Sequence, residues 1–233
     1  MTLASRISGL VRDLLMASMF GANALTDAFN VAFRIPNLFR RLFAEGAFSQ
    51  AFVPVLAASK TKNGEEATRQ LIGHVATILF WSLLVVCVLG VVGAPLLVWL
   101  LASGMRQSPD GYHAAVVMTR WMFPYIGFMS LVALSAGVLN TWKKFAVPAA
   151  TPVLLNLSMI AAALIGAPWL QKQGIESIYA MAGGVMLGGV LQLAVQMPAL
   201  RAMSLMPRIG FSPAAIRAAW DEAGVRRILA LMG

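Results

Sequence analysis

Ionisable residues are concentrated in the first 45 positions of the chain, inside stretches that are otherwise apolar enough to form membrane helices. They are Arg6, Arg12, Asp13, Asp27, Arg34, Arg40, Arg41 and Glu45. A charge at bilayer depth costs about 2.5–3.5 kcal/mol on insertion scales, so such residues usually face a bundle interior or a watery cavity. Most of these charges are cationic. A cationic cavity in a membrane favours an anionic ligand, and phosphate is the leading candidate.

The spacing of these residues assigns them to helix faces, because positions three, four and seven apart share a face. Arg6 and Asp13 share one face of a first helix, and Ser5, Gly9 and Arg12 share a second. The next helix has one polar face along its length, made by Asp27, Asn30, Arg34, Asn37, Arg41 and Glu45. Two such helices can line one hydrophilic compartment. The alternative is that the arginines snorkel to the membrane surface or form structural ion pairs. This alternative accounts poorly for the charges, because five cations are matched by only three acids.

The composition of the chain is that of a membrane protein. It is 59% hydrophobic and 12% charged, with a mean hydropathy of +0.77, whereas soluble domains carry about 25% charged residues. The net charge of +9 does not indicate nucleic acid as a partner, because the cations are divided between apolar segments and short loops. The single Cys87 lies in an apolar run and is interpreted as a small buried hydrophobe.

Four long runs carry no charge, and each reaches the roughly 20 residues that a helix needs to cross a bilayer. They cover 75–105, 121–142, 145–171 and 177–200. With the two charged segments before them, the sequence predicts an all-α polytopic membrane protein with six spanning helices. Their predicted ranges are 2–20, 27–57, 72–102, 114–140, 147–170 and 177–201. The second helix is predicted to break at Pro36 or near Gly46.

The end of the chain predicts a different kind of structure. Residues 203–223 are expected to form a cytoplasmic amphipathic linker, with Ser212 as the N-cap and Pro213 in the first turn of its helix. Residues 224–233 resemble the start of a seventh apolar helix. We therefore expect further membrane helices after this chain, and further residues before its first helix.

The distribution of lysine and arginine between loops predicts the orientation in the membrane. Ten cations lie in loop 58–70, in loop 140–147 and in the segment after the sixth helix, which carries Arg201, Arg208, Arg217, Arg226 and Arg227, against two or three on the opposite side. This bias places the N-terminus and segments 58–70, 140–147 and 201–223 in the cytoplasm.

No enzymatic constellation is evident in the sequence. It contains no Gly-rich phosphate loop with a lysine, no histidines and cysteines at metal spacing, and no plausible Ser-His-Asp set. Asp13, Asp27 and Glu45 are the acids in or near the first helices, and the sequence does not cluster them. A transporter is favoured over an enzyme.

Several segments carry a family resemblance. They read SRISGLVRD at 5–13, TDAF at 26–29, PNLFRRLFAEGAFSQAFVP at 36–54, LNTW at 139–142, and Pro-x-x-Leu-Asn at 152–156. Together they resemble the MurJ/MviN family of lipid II flippases, within the multidrug/oligosaccharidyl-lipid/polysaccharide exporter superfamily. The resemblance implies two helical lobes in a V with fourteen helices and cytoplasmic termini, of which this chain is the first lobe.

The resemblance also implies a function and site residues. The substrate is lipid II, the undecaprenyl-pyrophosphate-linked peptidoglycan precursor, moved by alternating access to the outer leaflet of the bacterial cytoplasmic (inner) membrane. Arg6, Arg12 and Arg40 match the family's cavity arginines, and Asp27 and Glu45 match its functional acids. Supporting or ion-pairing roles are expected for the polar residues Asp13, Asp27, Asn37, Arg41 and Glu45. The polar face of the second helix predicts that Arg41 faces the cavity, whereas the family motif indicates Arg40. A break near Pro36 would shift the helical phase and favour Arg40.

The expected partners are lipid II, membrane lipids and the absent C-terminal half of the same protein. No cofactor or metal is implied, and the coupling ion or membrane potential stays open. The alternative functions are export of another polyprenyl-linked saccharide or of drugs, although a cavity for cationic drugs should be acidic. A membrane enzyme or scaffold acting on the same lipid is the remaining class.

Overall fold

The computed structural model describes residues 3–40, 48–102, 104–105 and 108–232. No strand occurs in this part of the chain, so the predicted all-α fold is confirmed. The helices are α1 (Leu3–Phe20), α2 (Ala24–Arg40), α3 (Phe48–Lys62), α4 (Gly64–Val92), α5 (Ala94–Leu101), α6 (Pro109–Met122), α7 (Tyr125–Thr141), α8 (Ala146–Ala161), α9 (Ala167–Lys172), α10 (Tyr179–Ala194), α11 (Met197–Ala202), α12 (Pro213–Asp221) and α13 (Ala223–Met232). A π-helical turn, Ala162–Gly166, joins α8 to α9.

Four helical segments of the described chain are long and apolar enough to cross a membrane, and they lie over the four uncharged runs. They are Gly64–Val92, Pro109–Thr141, Ala146–Lys172 and Tyr179–Ala202. The chain is thus an integral membrane protein. The helices α1, α2 and α3 have 18, 17 and 15 residues, and α1 carries three charges. A total of six spanning helices remains a prediction.

Three of the predicted spans are interrupted in the structure. The span predicted at 72–102 divides at Gly93, the span at 114–140 divides at 123–124, and the span at 177–201 divides at 195–196. Proline lies at or just after each interruption, as Pro95, Pro124 and Pro198. Proline has no N–H to donate to the preceding turn, so it favours a bend or a new first turn.

The predicted helix 27–57 corresponds to α2 and α3. The helix α2 begins at Ala24 because the Asn23 side-chain oxygen accepts hydrogen bonds from the backbone N–H groups of Leu25 (3.0 Å) and Thr26 (2.9 Å). It continues through Pro36, so a break at that residue is wrong. The alternative near Gly46 falls within 41–47, outside the described residues.

The helix α4 starts eight residues before the predicted position 72. Its first turn contains Glu65 and Glu66, whose carboxylates interact favourably with the exposed N–H groups of a helix N-terminus. The prediction excluded this polar turn because it followed the uncharged run alone.

The chain divides into two compact units. The first comprises Met1–Leu38, Val86–Ile126 and Ala149–Gln192, and the second comprises Phe39–Val85, Gly127–Pro148 and Leu193–Gly233. In the second unit, fully buried Phe52, Leu56 and Ile72 lie at the centre of a core to which α13 adds Val225 and Ile228. The last helix of the chain therefore packs into this unit.

The linker of the second unit is helical over only part of the predicted range 203–223. The helix is α12, and the predicted cap is confirmed because Ser212 Oγ accepts a hydrogen bond from Ala215 N at 3.1 Å. The non-helical segment before it is fixed to α4 at Gly210. The N–H of Gly210 donates to Thr77 Oγ1 (2.9 Å), and its carbonyl accepts from Trp81 Nε1 (3.0 Å).

Candidate functional site

In the first unit, α10 packs closely against α8 and the π-helical turn that follows it. A Cβ added at Gly184 would lie 2.6 Å from Ala162 Cβ, and one at Gly188 would lie 3.1 Å from Leu155 Cα. Two glycines four residues apart thus let the two backbones approach closely, as small residues do in membrane helix pairs. A hydrogen bond from Gln192 Nε2 to the Thr151 carbonyl (2.8 Å) adds a polar link between α10 and α8.

Helix α8 carries a buried asparagine that contacts α1. Asn156 is 6% exposed, and its Nδ2 donates to the Ser5 carbonyl (3.1 Å) and to Ser8 Oγ (3.0 Å). Gly9 lies against the same amide, with 3.6 Å between Asn156 Nδ2 and the position of an added Cβ. The face predicted from the spacing of Ser5, Gly9 and Arg12 is therefore the face of α1 that meets α8.

Arg12 completes this polar contact. Its Nη1 donates to Asn156 Oδ1 at 2.9 Å, while its Nε (2.9 Å) and Nη2 (2.7 Å) both donate to Asp13 Oδ1. The side chain of Arg12 is 21% exposed, and that of Asp13 is 63% exposed. We call Ser5, Ser8, Arg12, Asp13 and Asn156 the Arg12 cluster.

The two partners of Arg12 differ in how firmly they are held. Asn156 is buried on α8, and its Nδ2 donates to the Ser5 carbonyl of α1. Asp13 is mostly exposed and pairs with Arg12 through adjacent positions on one helix. The exposed ion pair is worth only about 0–1 kcal/mol, so Asp13 is the exchangeable partner and Asn156 is the fixed one.

This arrangement suits Arg12 for binding an anion. A guanidinium has five N–H donors, and three of them donate within the cluster. The Nε and Nη2 edge that holds Asp13 has the fork geometry that binds a phosphate or carboxylate through two hydrogen bonds. A phosphate can therefore replace Asp13 while the bond to Asn156 keeps the guanidinium in place.

The predicted residues Arg6, Asp27 and Asn37 of α1 and α2 lie outside the Arg12 cluster. Arg6 is exposed and forms no ion pair or hydrogen bond with any described residue. Asp27 is exposed in the first turn of α2, and Asn37 is half-buried further along that helix. The structure does not bring Arg6, Asp27 or Asn37 into the Arg12 cluster.

The polar face predicted for α2 is present as far as the helix is described. Asp27, Asn30 and Arg34 are exposed, whereas Phe29 and Ile35 are buried. Exposed charged side chains need water or a polar partner, so this face of α2 is unsuited to contact with lipid tails. The side chain of Arg40, and all of Arg41 and Glu45, lie outside the described part of the chain.

Asn156 is a residue of the Arg12 cluster that the sequence analysis did not include among the site residues. The available signal was an isolated amide in an uncharged run, on a helix expected to pack within the membrane. Such a polar group needs a partner, and a half-buried cation with donors to spare was the natural one.

Comparison with known proteins supports the resemblance. The sequence model of the family described as "Lipid II flippase MurJ" matches residues 16–233. The "Lipid II flippase MurJ" of Burkholderia cenocepacia is 51% identical over 231 residues, which cover 99% of this chain and 43% of that protein. The "Probable lipid II flippase MurJ" of Haemophilus influenzae is 42% identical and covers 100% and 45%. The chain thus spans a little under half the length of these curated relatives.

A solved structure gives the same picture for the fold. "Lipid II flippase MurJ, inward closed conformation" aligns with a TM-score of 0.71 and 24% identity, covering 98% of this chain and 45% of that one. The alignment contains the helices that form the Arg12 cluster. With a family match over 16–233 and close relatives over nearly its whole length, the chain belongs to the MurJ family.

Proposed function

We propose that this chain is the first lobe of a flippase that moves lipid II from the inner to the outer leaflet of the bacterial cytoplasmic membrane. The full protein acts as a transporter and performs no covalent chemistry. The observation that supports the proposal is the Arg12 cluster, in which Arg12 of α1 is held by buried Asn156 and pairs with the exposed Asp13, in a chain of a family named for lipid II flipping.

In the proposed cycle, Arg12 exchanges Asp13 for the pyrophosphate of the lipid. Asn156 keeps the guanidinium oriented in both states, and Asp13 neutralises it when substrate is absent. Arg6 and Arg40 add positive charge, with Asp27, Asn37, Arg41 and Glu45 in supporting roles. The second lobe supplies the opposite wall, and rocking of the lobes carries the headgroup across while the lipid tail stays in the bilayer.

The orientation of the lobe is also a proposal. The three cationic segments predicted to be cytoplasmic begin at the C-terminal ends of α3, α7 and α11, and all three belong to the second unit. The loops after α1, α5 and α9 belong to the first unit. This division supports a common side for the cationic segments, and the positive-inside rule makes that side the cytoplasm.

Single cysteines test the orientation. In full-length protein with Cys87→Ala, cysteines at Asn63 and Lys144 should resist a membrane-impermeant thiol reagent in intact cells. Cysteines at Ala22 and Gln173 should react. All four positions are exposed, and none is a helix-capping side chain. Labelling after permeabilisation is the control that all four are reactive, and the reverse pattern in intact cells would refute the orientation.

Complementation tests the function. In a bacterium depleted of its own lipid II flippase, the full-length protein that contains this lobe should restore growth and cell shape. Failure to restore growth, with normal membrane levels of the protein, would contradict the proposal. An exporter of drugs or of another polyprenyl-linked saccharide would instead leave the depleted cell unable to grow.

A further inference from the structure

A cavity lies entirely within the second unit. It has a volume of about 300 Å³ and is bounded by the end of α3, the start of α4 and the junction of α12 with α13. Sites for small ligands are usually about 300–1,000 Å³. The cavity is therefore large enough for a small polar group, and it shares no residue with the Arg12 cluster.

Two cations from different helices line this cavity. Lys62 is at the end of α3 and Arg227 is on α13, and neither forms an ion pair with any described residue. Neighbouring cations are already engaged. Arg226 pairs with Asp221 at 2.6 Å, and Lys60 Nζ lies 4.2 Å from the centre of the Trp142 ring. Lys62 and Arg227 thus retain their donors for a ligand.

The remaining wall is compatible with an anion. Asn63 and Gln70 contribute side-chain amides, which supply further N–H donors. One carboxylate, Glu222, also lines the cavity. Its Oε2 lies 3.6 Å from His74 Nδ1 on α4, and the two form an ion pair only when the imidazole is protonated. Val55 and Leu71 give the cavity an apolar floor.

Packing fixes the position of α13, the helix that carries Arg227. A Cβ added at Gly224 would lie 2.6 Å from Leu71 Cδ1, and Val225 and Ile228 are both 3% exposed in the core of the unit. Arg227 therefore lies on a helix whose opposite side is buried. Lys62 and Arg227 are both exposed, and they line the same cavity from two separate helices.

We propose that this cavity binds a phosphate group between Lys62 and Arg227. A lysine and an arginine with free donors are the residues that bind phosphate oxygens, and the amides add neutral donors. The phosphate of an anionic membrane lipid fits this chemistry, and the apolar part of the lipid would contact Val55 and Leu71. Soluble pyrophosphate fits it as well. The site goes beyond the flipping of substrate, since it does not involve the Arg12 cluster.

Calorimetric titration of the full-length protein in detergent tests the site. The probes are dioctanoyl phosphatidylglycerol, its zwitterionic phosphatidylcholine analogue, and inorganic pyrophosphate. The double variant K62Q/R227Q should weaken binding of an anionic probe about tenfold or more, because charge-assisted hydrogen bonds are lost. The matched control K144Q/R217Q removes the same charge from exposed positions of the same unit and should change binding less than about twofold.

A third variant, Ala67→Phe, separates the cavity from general surface charge. Ala67 lines the cavity, so the larger side chain should block binding while every cation is kept. Preferential binding of phosphatidylglycerol would identify a lipid headgroup as the source of the phosphate, and binding of pyrophosphate alone would identify a soluble ligand. Absence of binding by both anionic probes, or equal loss in the two double variants, would overturn the proposal.

Discussion

Replacing Arg12 by alanine in the full-length protein is expected to abolish growth of a cell that depends on it for lipid II flipping. The variant loses both hydrogen bonds of the guanidinium fork to pyrophosphate. Charge-assisted hydrogen bonds are worth about 1.5–3 kcal/mol each, so transport should fall about a hundredfold or more. Arg12→Lys should restore growth only in part, because an ammonium keeps the charge and lacks the planar fork.

The matched control for this variant is Arg217→Ala. Arg217 is exposed on α12 and outside the Arg12 cluster, so its loss should leave growth unchanged. Membrane levels of all three variants are measured by immunoblotting, since Arg12→Ala also leaves buried Asn156 Oδ1 without its donor. Normal growth of Arg12→Ala would remove this arginine from the proposed site.

Replacing Asn156 is expected to give the second largest effect, through the orientation of Arg12. Asn156→Leu removes three hydrogen bonds that join α8 to α1 and should lower transport about tenfold or more. Asn156→Asp is the more informative change. A carboxylate still accepts from Arg12, but it adds a negative charge that competes with a phosphate for the guanidinium.

The two substitutions distinguish a positioning role from a structural one. If Asn156 only joins two helices, Asp and Leu should both lower the membrane abundance of the protein, because each removes the Nδ2 donor to the Ser5 carbonyl and Ser8 Oγ. If Arg12 must bind an anion, Asp should impair growth at least as strongly as Leu at equal membrane abundance. Asn140→Leu, at an exposed position on α7, is the matched control and should grow normally.

Much of the helical architecture follows from local sequence, because a bilayer imposes a length on apolar segments. The four uncharged runs overlie the four candidate spans. The interruptions within them did not follow, since uniformly apolar runs have no periodicity from which to locate a break. Proline alone does not determine where a helix is interrupted. Pro36, Pro54 and Pro152 lie inside helices, whereas Pro95 and Pro198 lie in the first turn of one.

The site shows the same division between local and long-range information. Helical spacing correctly placed Ser5, Gly9 and Arg12 on one face, because that relation depends only on the pitch of α1. The partner of this face, Asn156, is 144 residues from Arg12 in the chain. Its position depends on how α8 packs against α1 and α10, and the sequence of either helix alone does not determine that packing.

The central proposal is that the full-length protein moves lipid II without altering it, and the location of lipid II measures this most directly. In cells without a redundant flippase, depletion of the protein should leave lipid II of unchanged mass on the cytoplasmic face. That pool should be out of reach of an externally added lipid II-cleaving enzyme, and re-expression of the parent, but not of Arg12→Ala, should restore cleavage. Unchanged external cleavage after verified depletion would contradict flipping, and accumulation of a precursor of different mass would indicate an enzyme instead.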